Sequence, residues 1–227
     1  VDIYEDGSYR LHLEYFDYYL GSAMTNDKFA DLFHGPRREP ESIITQREMD
    51  LAASIQKITE EIVIKSAIYA KKVTGMKNIC MAGGTALNCV ANGKLLKEKI
   101  FENIWIQPAA GDAGGAIGAA LYMYYHTWDR IRFVQNDDFM KGSYLGPKFD
   151  KEYILSFLEK KGYKYYNFYN DNEAFYNQVA DYLVQDKIIG LFQGRMEFGP
   201  RALGNRSIIA NPQSVSMQSK LNLKIKF

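Results

Sequence analysis

The 227-residue sequence predicts an α/β protein, and three observations carry that prediction. Residues 45–73 show the apolar periodicity of a long helix. Two short apolar runs follow, at 79–82 and 104–107, and each leads into a glycine-rich loop and then into helix-compatible residues. An apolar content of 47% is ample for a core in a chain of this length.

The start of the chain predicts a β-hairpin. Asp6-Gly7 is a turn signal, and residues 9–19 alternate bulky apolar with polar side chains, as a half-buried strand does. The next segment, 21–45, has the glycine and proline content of a loop. Its basic pair, Arg37 and Arg38, meets an anion or is a solvated loop pair.

The long helix is bounded by recognisable signals. Thr45 and Glu48 have the spacing of a capping box, and Gly75 ends the helix. We expect this helix to pack on a sheet through one apolar stripe, which consists of Leu51, Ile55, Ile58 and Ile62.

The two glycine loops predict a phosphate-binding site. Glycine at the end of a buried strand lets the backbone approach a ligand, and the N-terminus of the next helix offers N–H groups to phosphate. The first strand, which contains Cys80, is predicted to be buried. Asp112 would repel a phosphate unless a metal ion lay between them, which predicts a metal ligand. The alternative is that Asp112 serves only as a helix cap.

The second half of the chain predicts a change of domain near Gly146-Pro147, followed by helices at 153–161 and 173–185 with a strand at 163–169 between them. The sequence ends at Lys224-Ile225-Lys226-Phe227 in an alternating pattern without a closing element, and it starts without methionine. We therefore expect an internal fragment of a longer protein.

The segment between two apolar runs at 188–192 and 207–210 predicts an anion-binding loop. It holds Arg195, Arg201 and Arg206 against one acid, Glu197, together with three glycines. Arginine binds phosphate or carboxylate through two parallel hydrogen bonds. The alternative is that these arginines pair with carboxylates elsewhere in the fold.

Composition excludes several classes of function. A formal charge of +1 gives no electrostatic case for binding nucleic acid or an anionic membrane. No apolar run is long enough to span a bilayer. Two cysteines do not make a disulfide framework, which predicts a reduced, cytoplasmic protein.

Four stretches of the sequence resemble the O-carbamoyltransferases, a family that includes nodulation-factor and antibiotic-tailoring enzymes. The similarity runs over nearly the whole chain, and the last motif is close to diagnostic. The stretches read TQREMDLAASIQKITEE, MAGGTALNCVANGKLL, IWIQPAAGDAGGAIGAALY and QGRMEFGPRALGNRSIIANP.

The resemblance implies two domains and a two-step reaction. Residues 1–146 would be the C-terminal part of an actin/Hsp70-like nucleotide-binding domain, and residues 147–227 the N-terminal part of a YrdC-like domain. The second domain would join carbamoyl phosphate to ATP, giving carbamoyl-adenylate and pyrophosphate. The first would pass the carbamoyl group to the hydroxyl of a small-molecule acceptor.

The resemblance also suggests site residues. Arg195 and Arg201 match the basic positions that hold carbamoyl phosphate and are the predicted catalytic residues, although the family often has lysine at the first of them. Asp112 matches a metal ligand, and the metal is expected to be divalent, with iron favoured. The predicted cofactor-binding residues are Gly83, Gly84, Asn88, Gly111, Gly114, Asn205, Arg206 and Ser207.

One departure from the family bears on activity. The other metal ligands of the family include a His-x-x-x-His pair, and the histidines here, His12, His34 and His126, lack that spacing. We therefore expect the 227-residue chain to be inactive by itself.

Two other functions stay open. A kinase or ATPase with an actin-like fold explains Gly83-Gly84 but gives the arginine loop no role, and an interaction module would use neither loop.

Overall fold

The computed structural model describes residues 1–21, 23–134 and 137–225. Within them the protein is mixed α/β, with helices and three two-stranded sheets. The chain divides into two compact units, Val1–Gln107 and Pro108–Phe227. The domain boundary near residue 146, and the actin-like and YrdC-like assignments, stay predictions.

The first unit begins with the predicted hairpin and contains one long helix. Its elements are β1 (Asp2–Ile3), β2 (Tyr9–Arg10), α1 (Asp27–Leu32), α2 (Gln46–Thr74), β3 (Asn78–Met81), α3 (Cys89–Lys97) and β4 (Asn103–Ile106).

The hairpin is confirmed, but its second strand is shorter than predicted. β1 and β2 pair antiparallel. The expected strand over 9–19 is wrong, because Leu13–Tyr15 turns as a 3-10 helix and ends the pairing. In the following loop, Arg38 donates a hydrogen bond to the carbonyl oxygen of Ser42 at 2.6 Å.

Both ends of α2 lie where the sequence predicts. The N–H of Thr45 donates to Glu48 Oε2 at 2.9 Å and completes the capping box. Gly75 closes the helix in the left-handed region at φ 65°, which glycine adopts without strain.

The core of the first unit lies between α2, α3 and the β3–β4 sheet. β3 and β4 are parallel, with Ile79 opposite Ile104. The buried cluster consists of Ala67, Leu95 and Phe101, with Val63, Ile64, Ala70, Ile79, Met81, Ile100 and Ile104 packed against it.

Two predictions about this core are wrong. Cys80 is exposed, because only alternate residues of β3 face the core. The predicted apolar stripe of α2 does not pack on the sheet, which instead receives Val63, Ile64 and Ala67. The stripe lines an apolar groove of about 900 Å³ whose other wall includes Tyr15, Phe16 and Phe29.

The second unit contains four α-helices and one antiparallel strand pair among its described residues. Its elements are α4 (Asp112–Tyr122), α5 (Lys151–Lys161), α6 (Asn172–Val184), β5 (Ile189–Phe192), β6 (Arg206–Ile209) and α7 (Met217–Ile225). The two predicted helices here are confirmed as α5 and α6.

The predicted strand at 163–169 is wrong, because this segment is irregular and has no strand partner. The alternating pattern at the end of the chain is also misleading. Lys224 and Ile225 belong to α7, and Lys226 and Phe227 lie outside the described residues. Nowhere in 1–21, 23–134 or 137–225 is a helix both long and apolar enough to cross a bilayer.

Candidate functional site

The first glycine loop joins β3 to α3. Gly83 has φ 95°, a backbone conformation that residues with a side chain rarely adopt, and Gly84–Leu87 forms a 3-10 turn. A Cβ at Gly83 or Gly84 would meet no atom within 4 Å, so the backbone here faces open space. The loop therefore leaves room for a ligand to approach its backbone.

Asn88 stabilises the end of this loop through hydrogen bonds of its side chain. Its side-chain oxygen accepts the N–H of Ala91 at 3.0 Å and caps α3. Its amide also pairs with Gln56 of α2. These contacts explain Asn88 without a nucleotide, and its predicted role toward the adenylate is untested.

The second glycine loop leads into α4. Gly111 occupies the N-cap position of the helix without a side-chain cap, and Asp112 is the exposed first helical residue and not the cap. Gly114 has a packing role, because a Cβ there would overlap the carbonyl oxygen of Ala109, which is fully buried. Space for a ligand is therefore found over Gly111, where a Cβ would meet nothing, and not over Gly114.

The described residues of this chain do not form a complete metal centre by themselves. Across the described ranges, no group of three His, Cys, Asp or Glu side chains is close enough to hold an ion. Asp112 offers one carboxylate, so a divalent cation held there would take its remaining ligands from other groups, such as phosphate oxygens or water.

The arginine loop is held by the β5–β6 pair and by the segment 143–147. Leu191 lies opposite Ser207, and Phe192 lies opposite Arg206. Hydrogen bonds join Gly146 N–H to the Met196 carbonyl at 2.9 Å and Met196 N–H to the Pro147 carbonyl at 3.0 Å. The loop is therefore fixed from both sides by backbone pairing.

The three arginines of this loop have different surroundings. Arg195 donates to the carbonyl oxygen of Gly146 at 2.9 Å. Arg206 donates to the carbonyl oxygen of Gln193 at 2.7 Å, and its guanidinium carbon lies 3.5 Å from the ring centre of Phe192. Arg201 is exposed, and it has no hydrogen-bond, ion-pair or ring partner among the described residues.

None of these arginines forms an ion pair with a carboxylate in the part of the chain that the structure describes. The alternative that they bridge acids within the fold is therefore not supported there. Arg206 is tied into the loop, whereas the guanidinium of Arg201 is free to meet an external anion.

The neutral groups of the loop are also engaged. The Asn205 side chain donates to the carbonyl oxygen of Arg195 at 2.6 Å. The Ser207 hydroxyl accepts the N–H of Gly204 at 3.1 Å. Both side chains shape the loop, and their predicted contact with a ligand is untested.

Glu197 has a structural role in the site that the sequence did not predict, beyond its negative charge. Its side chain is buried at 7% exposure, and its Oε1 accepts N–H donors from Leu203, Asn205 and Arg206 at 2.7, 2.8 and 3.2 Å. The sequence does contain a signal for this role, because Glu197 is the one acid in a basic loop with several glycines. In such a loop the backbone can turn its N–H groups toward a carboxylate.

Backbone hydrogen bonding determines the ionisation of Glu197. Burial acts to raise its pKa, but the backbone N–H groups of Asn205, Glu197 itself, Leu203 and Arg206 outweigh burial and lower the pKa to about 2. The carboxylate is therefore charged at neutral pH, and its charge is compensated by peptide dipoles and not by a guanidinium.

The second glycine loop and the arginine loop meet inside the second unit. A Cβ on Gly199, whose φ is 135°, would lie 3.2 Å from the carbonyl oxygen of Pro108 and 3.3 Å from Ala109 Cα. The structure thus brings the loop before Asp112 against the loop that carries Arg195 and Arg201. Gly83, Gly84 and Asn88 belong to the other unit.

Comparison with known proteins gives two family matches. A family profile described as Carbamoyltransferase N-terminus matches residues 1–121, and one described as Carbamoyltransferase C-terminus matches residues 180–227. The two matched ranges include both glycine loops and the arginine loop.

Individual relatives match most or all of the chain. An uncharacterized protein of Synechocystis sp. is 54% identical over 100% of this chain and 37% of its own length. Nodulation protein NolO of Bradyrhizobium diazoefficiens is 34% identical over 99% of this chain and 38% of its own length. Nodulation protein NolNO of Sinorhizobium fredii is 37% identical over 80% of this chain and 26% of its own length. The chain therefore spans little more than a third of the length of these relatives, or less.

Proposed function

This chain belongs to the carbamoyltransferase family, and from that premise we propose that the whole protein is an ATP-dependent O-carbamoyltransferase. In this proposal it makes carbamoyl-adenylate from carbamoyl phosphate and ATP. It then transfers the carbamoyl group to a hydroxyl of a small-molecule acceptor.

The observation that carries the proposal is the unpaired positive charge of the arginine loop. Arg195 and Arg201 have no carboxylate partner in the described ranges, and the one acid between them is buried and bound to N–H groups. A preformed cationic loop of this kind suits a small, doubly charged anion such as carbamoyl phosphate.

The chemistry balances in three steps, which are hydrolysis, adenylation and transfer. Carbamoyl phosphate and water give carbamate and phosphate, and a carbamate oxygen attacks the α-phosphorus of ATP, from which pyrophosphate leaves. The acceptor hydroxyl then attacks the carbamoyl carbon and loses its proton, and AMP leaves. Adenylation is needed because AMP is a far better leaving group from a carbamoyl carbon than hydroxide.

The residues of this chain supply binding and orientation. Arg201 and Arg195 would hold the phosphate of carbamoyl phosphate, with Arg195 oriented by the carbonyl of Gly146. The open backbone at Gly83 and Gly84 would accommodate the adenylate phosphate. No step is assigned to a metal, because Asp112 has no fellow ligands among the described residues.

The proposal places this reaction in the cytoplasm. Cys80 and Cys89, the only cysteines of the sequence, are both free and exposed. A reducing compartment keeps such thiols reduced.

The test uses the full-length protein with ATP, labelled carbamoyl phosphate and a panel of alcohols and sugars, with products identified by mass spectrometry. We expect AMP, pyrophosphate, phosphate and a carbamoylated acceptor in equal amounts. Exchange of labelled pyrophosphate into ATP that depends on carbamoyl phosphate would support the adenylation step separately. Formation of ADP without a carbamoylated product would favour a kinase or ATPase and overturn the proposal.

A further inference from the structure

Glu197 closes the turn that carries Arg201. The three N–H groups bound by its Oε1 belong to Leu203, Asn205 and Arg206, so the carboxylate joins the start of the turn to its end. Arg201 lies within the enclosed segment 198–202. The carboxylate therefore restrains both sides of that arginine.

The backbone of this turn contains two glycines with positive φ, a conformation that other residues rarely adopt. Gly199 and Gly204, which lie on either side of Arg201, have φ of 135° and 103°. Next to the carboxylate, Phe198 N–H donates to the carbonyl oxygen of Ser143 at 2.7 Å, and Ser143 is buried. Glu197 is thus anchored to the rest of the second unit, and it restrains a turn that its glycines would otherwise leave free.

The negative charge of the Glu197 carboxylate strengthens its hydrogen bonds to the turn. The buried carboxylate would be costly without partners, and its partners here are backbone N–H groups. Because the described partners of Glu197 are backbone N–H groups and not guanidinium groups, it shapes the arginine loop without neutralising Arg195 or Arg201. An acid that paired directly with Arg201 would do the opposite.

We propose that Glu197 is a positioning residue, which holds the turn at 198–204 in the shape that presents Arg201 to carbamoyl phosphate. This inference rests on the proposed function. It assigns to Glu197 an effect on ligand binding that acts through Arg201 and not through contact with the ligand.

The experiment is a double-mutant cycle on the full-length protein. The variants are Glu197→Ala, Glu197→Gln, Arg201→Ala and the double variant Glu197→Ala/Arg201→Ala, with Glu152→Ala as an exposed control in the same unit. The dissociation constant of carbamoyl phosphate is measured by calorimetry, and protection of the Leu203, Asn205 and Arg206 amides by hydrogen exchange.

We expect Glu197→Ala to weaken carbamoyl phosphate binding by about tenfold or more, because a displaced guanidinium loses its charge-assisted hydrogen bonds. Glu197→Gln should fall between the alanine variant and the unaltered protein, since glutamine keeps an acceptor oxygen without the charge. In the Arg201→Ala background, removal of Glu197 should weaken binding no further. Protection of the three amides should fall in Glu197→Ala and stay unchanged in Glu152→Ala.

Each other outcome has a distinct meaning. Loss of amide protection without a change in the dissociation constant would leave Glu197 a structural residue and overturn the inference. Additive losses in the double variant would overturn it as well. Failure of the unaltered protein to bind carbamoyl phosphate would overturn the proposed function, and the inference with it. If Glu197→Ala does not fold, the intermediate affinity and amide protection expected of Glu197→Gln decide the question.

Discussion

Gln56 and Asn88 form a reciprocal amide pair that joins α2 to the end of the first glycine loop. Asn88 Nδ2 donates to Gln56 Oε1 at 2.8 Å, and Gln56 Nε2 donates to Asn88 Oδ1 at 3.3 Å. Gln56 also donates to Glu60 at 2.9 Å, and Glu60 meets Lys94 of α3 at 3.3 Å. The position of the loop is thus linked to α2 through side chains 32 residues apart.

Replacing Asn88 with alanine should destabilise the protein. It removes both the cap of α3 and the amide pair, so we expect the free energy of unfolding to fall by about 1–2 kcal/mol. Urea denaturation of the full-length protein measures this. Gln46→Ala is the matched control, because Gln46 is also on α2 and its side chain, among the described residues, hydrogen-bonds to Asp50 one turn away and not to another element. An equal effect of the two variants would contradict the role assigned to the pair.

Gly114 and Gly115, neighbours inside α4, should respond oppositely to alanine. A Cβ at Gly114 overlaps the Ala109 carbonyl, so Gly114→Ala should cost about 1–3 kcal/mol of stability. A Cβ at Gly115 meets nothing, so Gly115→Ala should be neutral or stabilise the helix by up to about 1 kcal/mol. Thermal or chemical unfolding distinguishes them, and a tolerant Gly114 would show that the packing described here is not required.

Arg201 and Arg206 should separate ligand binding from stability. Arg206→Ala removes contacts with loop carbonyls and the Phe192 ring, and should lower the free energy of unfolding by about 1–3 kcal/mol. Arg201→Ala should change stability by less than about 0.5 kcal/mol but weaken carbamoyl phosphate binding roughly tenfold or more. Urea denaturation and calorimetry give the two quantities. The prediction fails if Arg201→Ala unfolds the protein or leaves the affinity unchanged.

Glu197 predicts a specific dependence of stability on pH. Its pKa is lowered from 4.5 to about 2 in the folded state, so its contribution is fully present above the ordinary value and is lost as pH falls toward the folded value. The difference in unfolding free energy between the unaltered protein and Glu197→Gln should be constant at neutral pH and shrink between about pH 4.5 and 2. This difference removes the common effect of other carboxylates. A difference that does not change with pH would show that the charge of Glu197 contributes nothing.

Local signals in the sequence determined several elements correctly. Thr45, Glu48 and Gly75 set the ends of α2, because capping and left-handed closure depend on residues within about one helical turn. The same holds for the turn at Asp6-Gly7, and the apolar runs at 188–192 and 207–210 lie where β5 and β6 form. The motifs also indicated the family that the profiles show.

Only the tertiary structure decided which groups are available at the site. Arg201 and Arg206 look equivalent in the sequence, but Arg206 is held by Phe192, Gln193 and Pro147, the last of them 59 residues away. Likewise Cys80 was predicted to be buried, yet just one face of its strand is covered. The partners and the exposure of a side chain depend on segments that are distant in the sequence. Local propensity and periodicity do not predict which distant backbone atoms pack against it.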